Sequence, residues 1–210
     1  MTDNIIITIG RQFGSGGHEI GNRLAQRLDI PLYDYNLINI AAKELNITPE
    51  MAKKVDESVL EHYMSAAILG AEDYMMFMNG QESDEPLTDQ VFAMQTDLIK
   101  KFAKRSSCII VGRCADYILG DYSNCINAFI YAYKEDRIRR IMKLYHLTER
   151  QAKEKIKKVD KTRKNYYEDH TKREWGSIEA HQMLFNSSLL GIDGVVDALE
   201  GIYRRWNEPR

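Results

Sequence analysis

The sequence lacks the features of a disulfide-stabilised, metal-binding or membrane-spanning protein. It has three cysteines in 210 residues, and none of them belongs to a CxxC pair or has a histidine at ligand spacing. We therefore expect reduced thiols that pack as small apolar side chains. No apolar run approaches the roughly eighteen residues of a transmembrane helix, and the first residues do not form a signal peptide. These absences predict a cytoplasmic protein that has no membrane partner.

An excess of either charge is also missing from the whole chain, although it is present locally. Twenty-nine Lys and Arg nearly balance thirty-one Asp and Glu, and the net charge is −2. Residues 134–173, however, hold fifteen Lys or Arg against seven Asp or Glu. Such a basic block indicates either an anionic partner or a solvated helical face. A small phosphate compound fits better than a nucleic acid, which the acidic remainder of the protein would repel.

The apolar pattern predicts strands that alternate with helices. We predict five short strands, at residues 5–9, 31–33, 108–111, 126–132 and 183–185. Helices are predicted at residues 18–28, 89–104, 135–145, 149–158 and 195–206. The helix at 149–158 carries a capping box formed by Thr148 and Gln151. Strands separated by helices favour an α/β fold with a mainly parallel sheet, in one domain over residues 1–210.

A glycine-rich loop between the first strand and the first helix is the strongest local signal. It consists of Gly14, Ser15, Gly16 and Gly17. Glycines allow backbone N–H groups to approach an anion without a Cβ in the way. The helix that begins near His18 would add the positive end of its dipole. The loop is predicted to bind polyphosphate, and a tight turn without a ligand is the alternative.

This loop lacks the lysine of the phosphate-binding motif G-x-x-x-x-G-K-[ST]. If Gly16 takes the second glycine position, Arg11 falls at the first and Gly17 falls where lysine belongs. His18 and Glu19 then follow where a hydroxyl residue usually contacts magnesium. The lysine matters because its ammonium neutralises charge on the β- and γ-phosphates during transfer. Arg11 is the candidate substitute, and a structural ion pair is its alternative role.

Several of these segments, taken in order, resemble the cytidylate kinase-like family, a branch of the P-loop nucleoside-monophosphate kinases. They are residues 7–21, 31–34, 109–113 and the basic stretch. The resemblance implies a three-layer α/β core with a phosphate loop, a helical monophosphate-binding insertion at residues 36–105 and a helical lid in the basic region 134–178. It also implies ATP with Mg²⁺ as donor and a nucleoside monophosphate as acceptor, with CMP or dCMP expected.

The resemblance further implies an acceptor site at the ends of the second and third strands. Asp34 follows the second strand, where such kinases touch the acceptor nucleotide, although it could simply cap a helix. Gly112 and Arg113 end the third strand, where an arginine can clamp the acceptor phosphate. A structural ion pair is the alternative role for Arg113.

Arginines of the basic region fall where the family has its lid. Arg137, Arg140 and Arg163 would close over the transferring phosphoryl group, or they form a solvated edge. Tyr166 and Tyr167 are expected to pack the lid against the core. No residue is assigned as a metal ligand.

An ATP-dependent phosphotransferase is therefore the leading hypothesis, with residues 14–18 holding the donor phosphates. A regulatory nucleotide-binding protein without turnover is favoured by the missing lysine. A kinase for a hydroxyl-bearing small molecule is a third possibility, and it would need Asp34 as the base.

Overall fold

Eleven regular elements are present in residues 4–34 and 87–206, the parts of the chain that the computed structural model describes. The strands are β1 (Ile6–Arg11), β2 (Leu32–Tyr33), β3 (Cys108–Val111), β4 (Cys125–Tyr131) and β5 (Met183–Asn186). The helices are α1 (Gly17–Leu28), α2 (Leu87–Arg105), α3 (Ala115–Ile118), α4 (Lys134–Tyr145), α5 (Glu149–Thr171) and α6 (Ser187–Trp206). Most of the insertion predicted at 36–105 lies outside the described residues, which include only α2.

All five strands are parallel and lie in the order β2-β3-β1-β4-β5. In the central strand β1, Ile9 pairs with Val111 of β3 on one side and with Ala128 of β4 on the other. Because the carboxyl ends of parallel strands meet at one edge, the end of β1 at Arg11 lies beside Gly112. The sheet thus brings the glycine-rich loop and the Gly112 turn together.

Helices cover both faces of the sheet. Ile7 and Ile9 pack with α1 and α6 on one face, and Ile6 and Ile110 pack with α2 and α3 on the other. The alternation along β1 places successive isoleucines in opposite cores, as the pleat of a strand requires. These layers confirm the predicted three-layer α/β fold.

Two of the predicted helix boundaries are wrong. The helix expected to end near Lys158 continues to Thr171, because Val159 and Tyr167 extend its buried face beyond the charged segment. The last helix begins at Ser187 rather than at Val195, and its path is broken at Gly191, where φ is 70° and ψ is 173°. Sequence periodicity misses this first turn because the break resets the helical phase.

Several local features can also be compared with the sequence predictions. The Thr148–Gln151 capping box is confirmed. All three cysteines are buried free thiols, as predicted, and burial raises the pKa of Cys108 and of Cys125 to about 12. The short helix α3 was not predicted. None of the described helices is long and apolar enough to cross a bilayer.

Candidate active site

The loop between β1 and α1 has the backbone geometry of an anion-binding turn. Gly14 and Gly16 have φ values of 83° and 85°, which glycine adopts without steric cost. The backbone N–H and the hydroxyl of Ser15 both donate to the carbonyl of Gln12, at 3.3 and 2.9 Å. Within the described part of the chain, the amides of Gly16 and Gly17 have no hydrogen-bond partner. These free donors lie at the positive end of α1, where an anion is stabilised.

Helices α4 and α5 hold this loop from one side. The carboxylate of Asp160 accepts a hydrogen bond from the amide of Phe13 at 2.7 Å and another from Arg137 at 2.5 Å. Arg137 also donates to the carbonyl of Phe13 at 3.2 Å. The Phe13 ring packs against the buried cluster between α4 and α5. Arg137 is therefore engaged with the backbone of the loop.

Helix α6 and Arg140 border the same loop on other sides. The hydroxyl of Ser187 lies within hydrogen-bond distance of the carbonyls of Ser15 and Tyr131, at 2.7 and 3.1 Å. The Cζ of Arg140 lies 3.8 Å from the position that a Cβ would take at Gly16. The same guanidinium forms an ion pair with Glu19 of α1. Arg140 thus lies at the rim of the loop.

The side chain of Arg11 fills the volume that the usual motif gives to lysine. A Cβ placed on Gly17 would lie 2.6 Å from the Cβ of Arg11 and 3.1 Å from its Cγ, closer than normal contact. The guanidinium continues past Gly17 to Gly112, where a Cβ would lie 2.9 Å from its Cζ. Gly112 has a φ of 78°, so glycine is favoured there by both backbone and space. Arg11 thus stands at the first position of the motif, where glycine is usual, and Gly17 stands at the seventh, where lysine is usual.

Three arginines face a cavity of about 120 Å³ beside this turn. Arg11, Arg113 and Arg163 belong to its lining, and we call them the arginine cluster. Burial lowers the pKa of each, that of Arg11 well below its ordinary value, and repulsion from neighbouring arginines lowers it further for Arg11 and Arg163. The charge of Asp34 opposes this effect at Arg11 and Arg113. The guanidinium groups of Arg11 and Arg113 donate no hydrogen bond to another described residue. The cluster is suited to an anion.

Asp34 lies at the end of β2 and is only 6% exposed. Its carboxylate is 2.6 Å from Nε2 of His18, and the side-chain amide of Asn22 lies 3.2 Å from Nδ1 of the same ring. Since an amide nitrogen can only donate, Nδ1 accepts the hydrogen bond from Asn22, and Nε2–H donates one to the carboxylate of Asp34. His18 therefore connects the first turn of α1 to the carboxylate at the end of β2.

Sequence reasoning missed two polar residues on the far wall of the cavity, Asp116 and His181. The hydroxyl of Tyr167 donates to Asp116 at 2.6 Å, and Asn127 lies 3.0 Å from Nδ1 of His181. An aspartate three residues after Arg113 was a usable signal for the first, whereas nothing in the local sequence marks His181. Tyr166 and Tyr167 pack in a cluster around Cys114, as predicted.

A family model described as the cytidylate kinase-like family matches residues 6–189. The chain belongs to the cytidylate kinase-like family. The match extends from β1 through the loop, the arginine cluster and α5 to the start of α6. Membership of this kinase-like family supports a phosphotransferase that uses a nucleotide.

Several solved structures have a fold similar to that of this chain. An uncharacterized protein from Eubacterium ventriosum ATCC 27560 is 30% identical, with a TM-score of 0.68, and the alignment covers 96% of this chain and 99% of that one. TT1252 from Thermus thermophilus is 16% identical, with a TM-score of 0.53 and coverage of 95% and 97%. A shikimate kinase from Acinetobacter baumannii in complex with shikimate is 10% identical, with a TM-score of 0.51 and coverage of 96% and 94%. No curated protein matches the chain.

The cytidylate kinase-like site brings most of the predicted residues to one edge of the sheet. They are Arg11, Gly14, Ser15, Gly16, Gly17, His18, Asp34, Gly112, Arg113, Arg140 and Arg163. Arg137 reaches the loop from its outer side, through Phe13 and Asp160. Among the described residues, no group of three His, Cys, Asp or Glu side chains could hold a metal ion.

Proposed function

We propose that this protein transfers a phosphoryl group from ATP to a nucleoside monophosphate, with CMP or dCMP as the expected acceptors. The observation that carries the proposal is the arginine cluster beside a loop with unpaired amides. Among the described carboxylates, Asp34 and Asp160 act on these three partly buried cations, which cost stability unless further anionic charge compensates them. A phosphate monoester provides that compensation through bidentate contacts to guanidinium groups.

The loop fits the phosphates of ATP. Gly14 and Gly16 give it the curvature, the amides of Gly16 and Gly17 are free to donate, and Ser15 closes the turn. ATP supplies the phosphoryl group to be transferred, and Mg²⁺ would reduce its charge. Mg²⁺ bound with ATP commonly takes many of its ligands from phosphate oxygens and water.

Arg11 takes the charge-neutralising role of the missing lysine in this proposal. Its stem starts where a lysine side chain at Gly17 would start, and its guanidinium ends between the donor loop and Gly112. Arg163 donates to the carbonyl of Arg11 at 3.4 Å and stabilises charge on the transferring group from the same side. Arg140 contacts the donor phosphates from the rim of the loop, and Arg137 positions the loop through its backbone.

Arg113 and Gly112 hold the acceptor in the cavity at the end of β3, with Asp34 beside them. A phosphate acceptor is already an anionic nucleophile, so the reaction needs no general base. Positioning two anionic groups against fixed cations supplies the catalysis.

The test is coupled ADP release with a panel of nucleoside monophosphates in the presence of ATP and Mg²⁺. We expect turnover that depends on the monophosphate, with a cytidine nucleotide among the best acceptors. ATP binding without any monophosphate-dependent ADP release would contradict the proposal. That outcome would favour a regulatory nucleotide-binding protein, the function that the absence of lysine at Gly17 supports.

An acceptor hydroxyl is the second candidate function, and the contact between His18 and Asp34 favours it. A buried carboxylate hydrogen-bonded to a histidine could accept a proton from a hydroxyl during its attack on ATP. In that case, hydroxyl-bearing small molecules rather than monophosphates would release ADP in the same assay.

A further inference from the structure

The cavity at the arginine cluster is also lined by polar side chains that can accept hydrogen bonds. Asp116, Tyr167 and His181 belong to this part of the lining, which we call the far wall. Asp116 and His181 are 6% and 7% exposed, and both also line a neighbouring cavity of about 200 Å³. A ligand whose phosphate lies on the arginine cluster, and which extends toward the neighbouring cavity, therefore meets Asp116 and His181. The phosphate itself does not need these two side chains.

The carboxylate of Asp116 keeps hydrogen-bond capacity for a ligand. It accepts one hydrogen bond from a side chain, from the hydroxyl of Tyr167 at 2.6 Å. No cationic side chain in the described residues forms an ion pair with it, and Arg173 instead lies over the Tyr117 ring at 5.2 Å. Burial raises the pKa of Asp116. Two carboxylate oxygens offer about four acceptor sites, so the bonds from Tyr167 and from the backbone amide of Asp116 itself leave others for a donor.

The imidazole of His181 presents an acceptor as well. Asn127 donates its side-chain amide to the carbonyl of Ala180 at 3.0 Å, so its oxygen accepts from Nδ1 of His181. Burial lowers the pKa of His181, which favours the neutral ring with a lone pair on Nε2. This buried Nε2 has no hydrogen-bond partner in the described part of the protein. Unpaired buried polar atoms are uncommon, and they require an explanation.

We propose that Asp116 determines acceptor specificity by receiving, together with His181, a primary amino group on the ring of the nucleotide whose phosphate lies on the arginine cluster. This inference rests on the proposed function. The two N–H bonds of an amino group match two acceptor groups on one wall. A ring carbonyl in the same place would be an acceptor facing two acceptors, with no N–H to donate. Binding of a nucleotide with such a carbonyl would therefore be disfavoured.

Matched ligands test the inference on the unmodified protein. CMP is compared with pyrimidin-2-one riboside 5′-monophosphate, which lacks only the 4-amino group, and AMP with purine riboside 5′-monophosphate. Titration calorimetry in the presence of a non-hydrolysable ATP analogue should show about 10- to 100-fold weaker binding for the preferred base once its amino group is removed. Equal affinities within both pairs would overturn the assignment while the proposed function stands. If no nucleoside monophosphate binds or is turned over, both proposals fail.

Variants then show whether Asp116 itself makes the selection. Asp116→Asn keeps the volume and the bond from Tyr167, and it should reduce the preference for the amino-bearing ligand to within about threefold. Glu179→Gln changes an exposed carboxylate that lines only the neighbouring cavity, and it should keep the full preference. Tyr167→Phe removes the hydrogen bond from Tyr167 to Asp116 but keeps the carboxylate. If this variant loses the preference for the amino-bearing ligand as fully as Asp116→Asn does, the role of Asp116 is purely structural. An unchanged preference in Asp116→Asn would also overturn the proposal.

Discussion

Replacing Arg11 with methionine should separate the stability of this protein from its catalytic rate. Methionine keeps an unbranched stem against Gly17 and removes the guanidinium from the arginine cluster. The folded-state pKa of Arg11 lies well below its ordinary value, through burial first and then repulsion from Arg163 and Arg113. A lowered pKa means that the charged form is less favourable in the folded than in the unfolded protein. Keeping Arg11 charged therefore costs stability at every pH below its folded-state pKa.

Stability and catalytic rate should respond differently to Arg11→Met. Without ligands, Arg11→Met should leave the free energy of unfolding unchanged or raise it by about 1 kcal/mol, which is about 2–4 °C in Tm for a chain of this size. Loss of one charge that stabilises the transferring phosphoryl group should lower kcat by about 10²- to 10³-fold. Arg11→Lys keeps a charge on a shorter side chain, so its kcat should lie between that of Arg11→Met and that of the unmodified protein.

Thermal unfolding and the coupled ADP assay together check this prediction. Arg27→Met is the matched control, because Arg27 forms surface ion pairs with Asp197 and Glu200 on the far side of α1. The control should change Tm little and keep its rate, because exposed ion pairs contribute little to stability. If Arg11→Met instead lowers Tm by several degrees and leaves kcat intact, Arg11 is a structural ion-pair partner and its place beside Gly17 has no catalytic meaning.

Three further variants address the acceptor, the loop and the base. Arg113→Ala should weaken acceptor binding far more than ATP binding, because Arg113 lies in the cavity and not on the loop; equal losses in separate titrations would contradict this. Asp160→Asn should lower the free energy of unfolding by about 1–3 kcal/mol, because it weakens the bonds to Phe13 and Arg137, and an unchanged Tm would refute it. Asp34→Asn should keep monophosphate-dependent rates within about tenfold, since a phosphate acceptor needs no base. A loss of the rate with intact ATP binding would support a hydroxyl acceptor.

Much of the fold could be predicted from the sequence because its signals are local. The β-branched run at Ile6–Ile9, the glycines that follow and the stripe of Ile20 and Leu24 each specify one element through neighbouring residues. The preference for right-handed parallel crossovers limits the possible topologies but does not determine the strand order, which comes from the structure. Boundaries were less certain where charged residues continue a helix, as beyond Lys158, since surface positions carry little periodic signal.

The candidate site was only partly predictable because its contacts join distant segments. Glycine at position 17 was visible as a missing lysine, but only the structure shows that Arg11 occupies the same volume. The partners of the arginines that were predicted for a lid, Asp160 for Arg137 and Glu19 for Arg140, lie 23 and 121 residues away in the chain. His181 has no local signal at all, since its neighbours Asn127 and Asp116 come from β4 and α3.

The second half of α5, beyond the end that periodicity predicts, contacts the loop, the arginine cluster and the far wall. Asp160 binds the amide of Phe13 in the loop, Arg163 belongs to the arginine cluster, and Tyr167 binds Asp116 on the far wall. These residues are three and four positions apart, so they lie on one face of the helix. Because a helix moves as a unit over such a short span, a shift of α5 changes the loop, the cluster and the far wall together. A ligand that spans the cavity would therefore contact side chains of one helix face along its length.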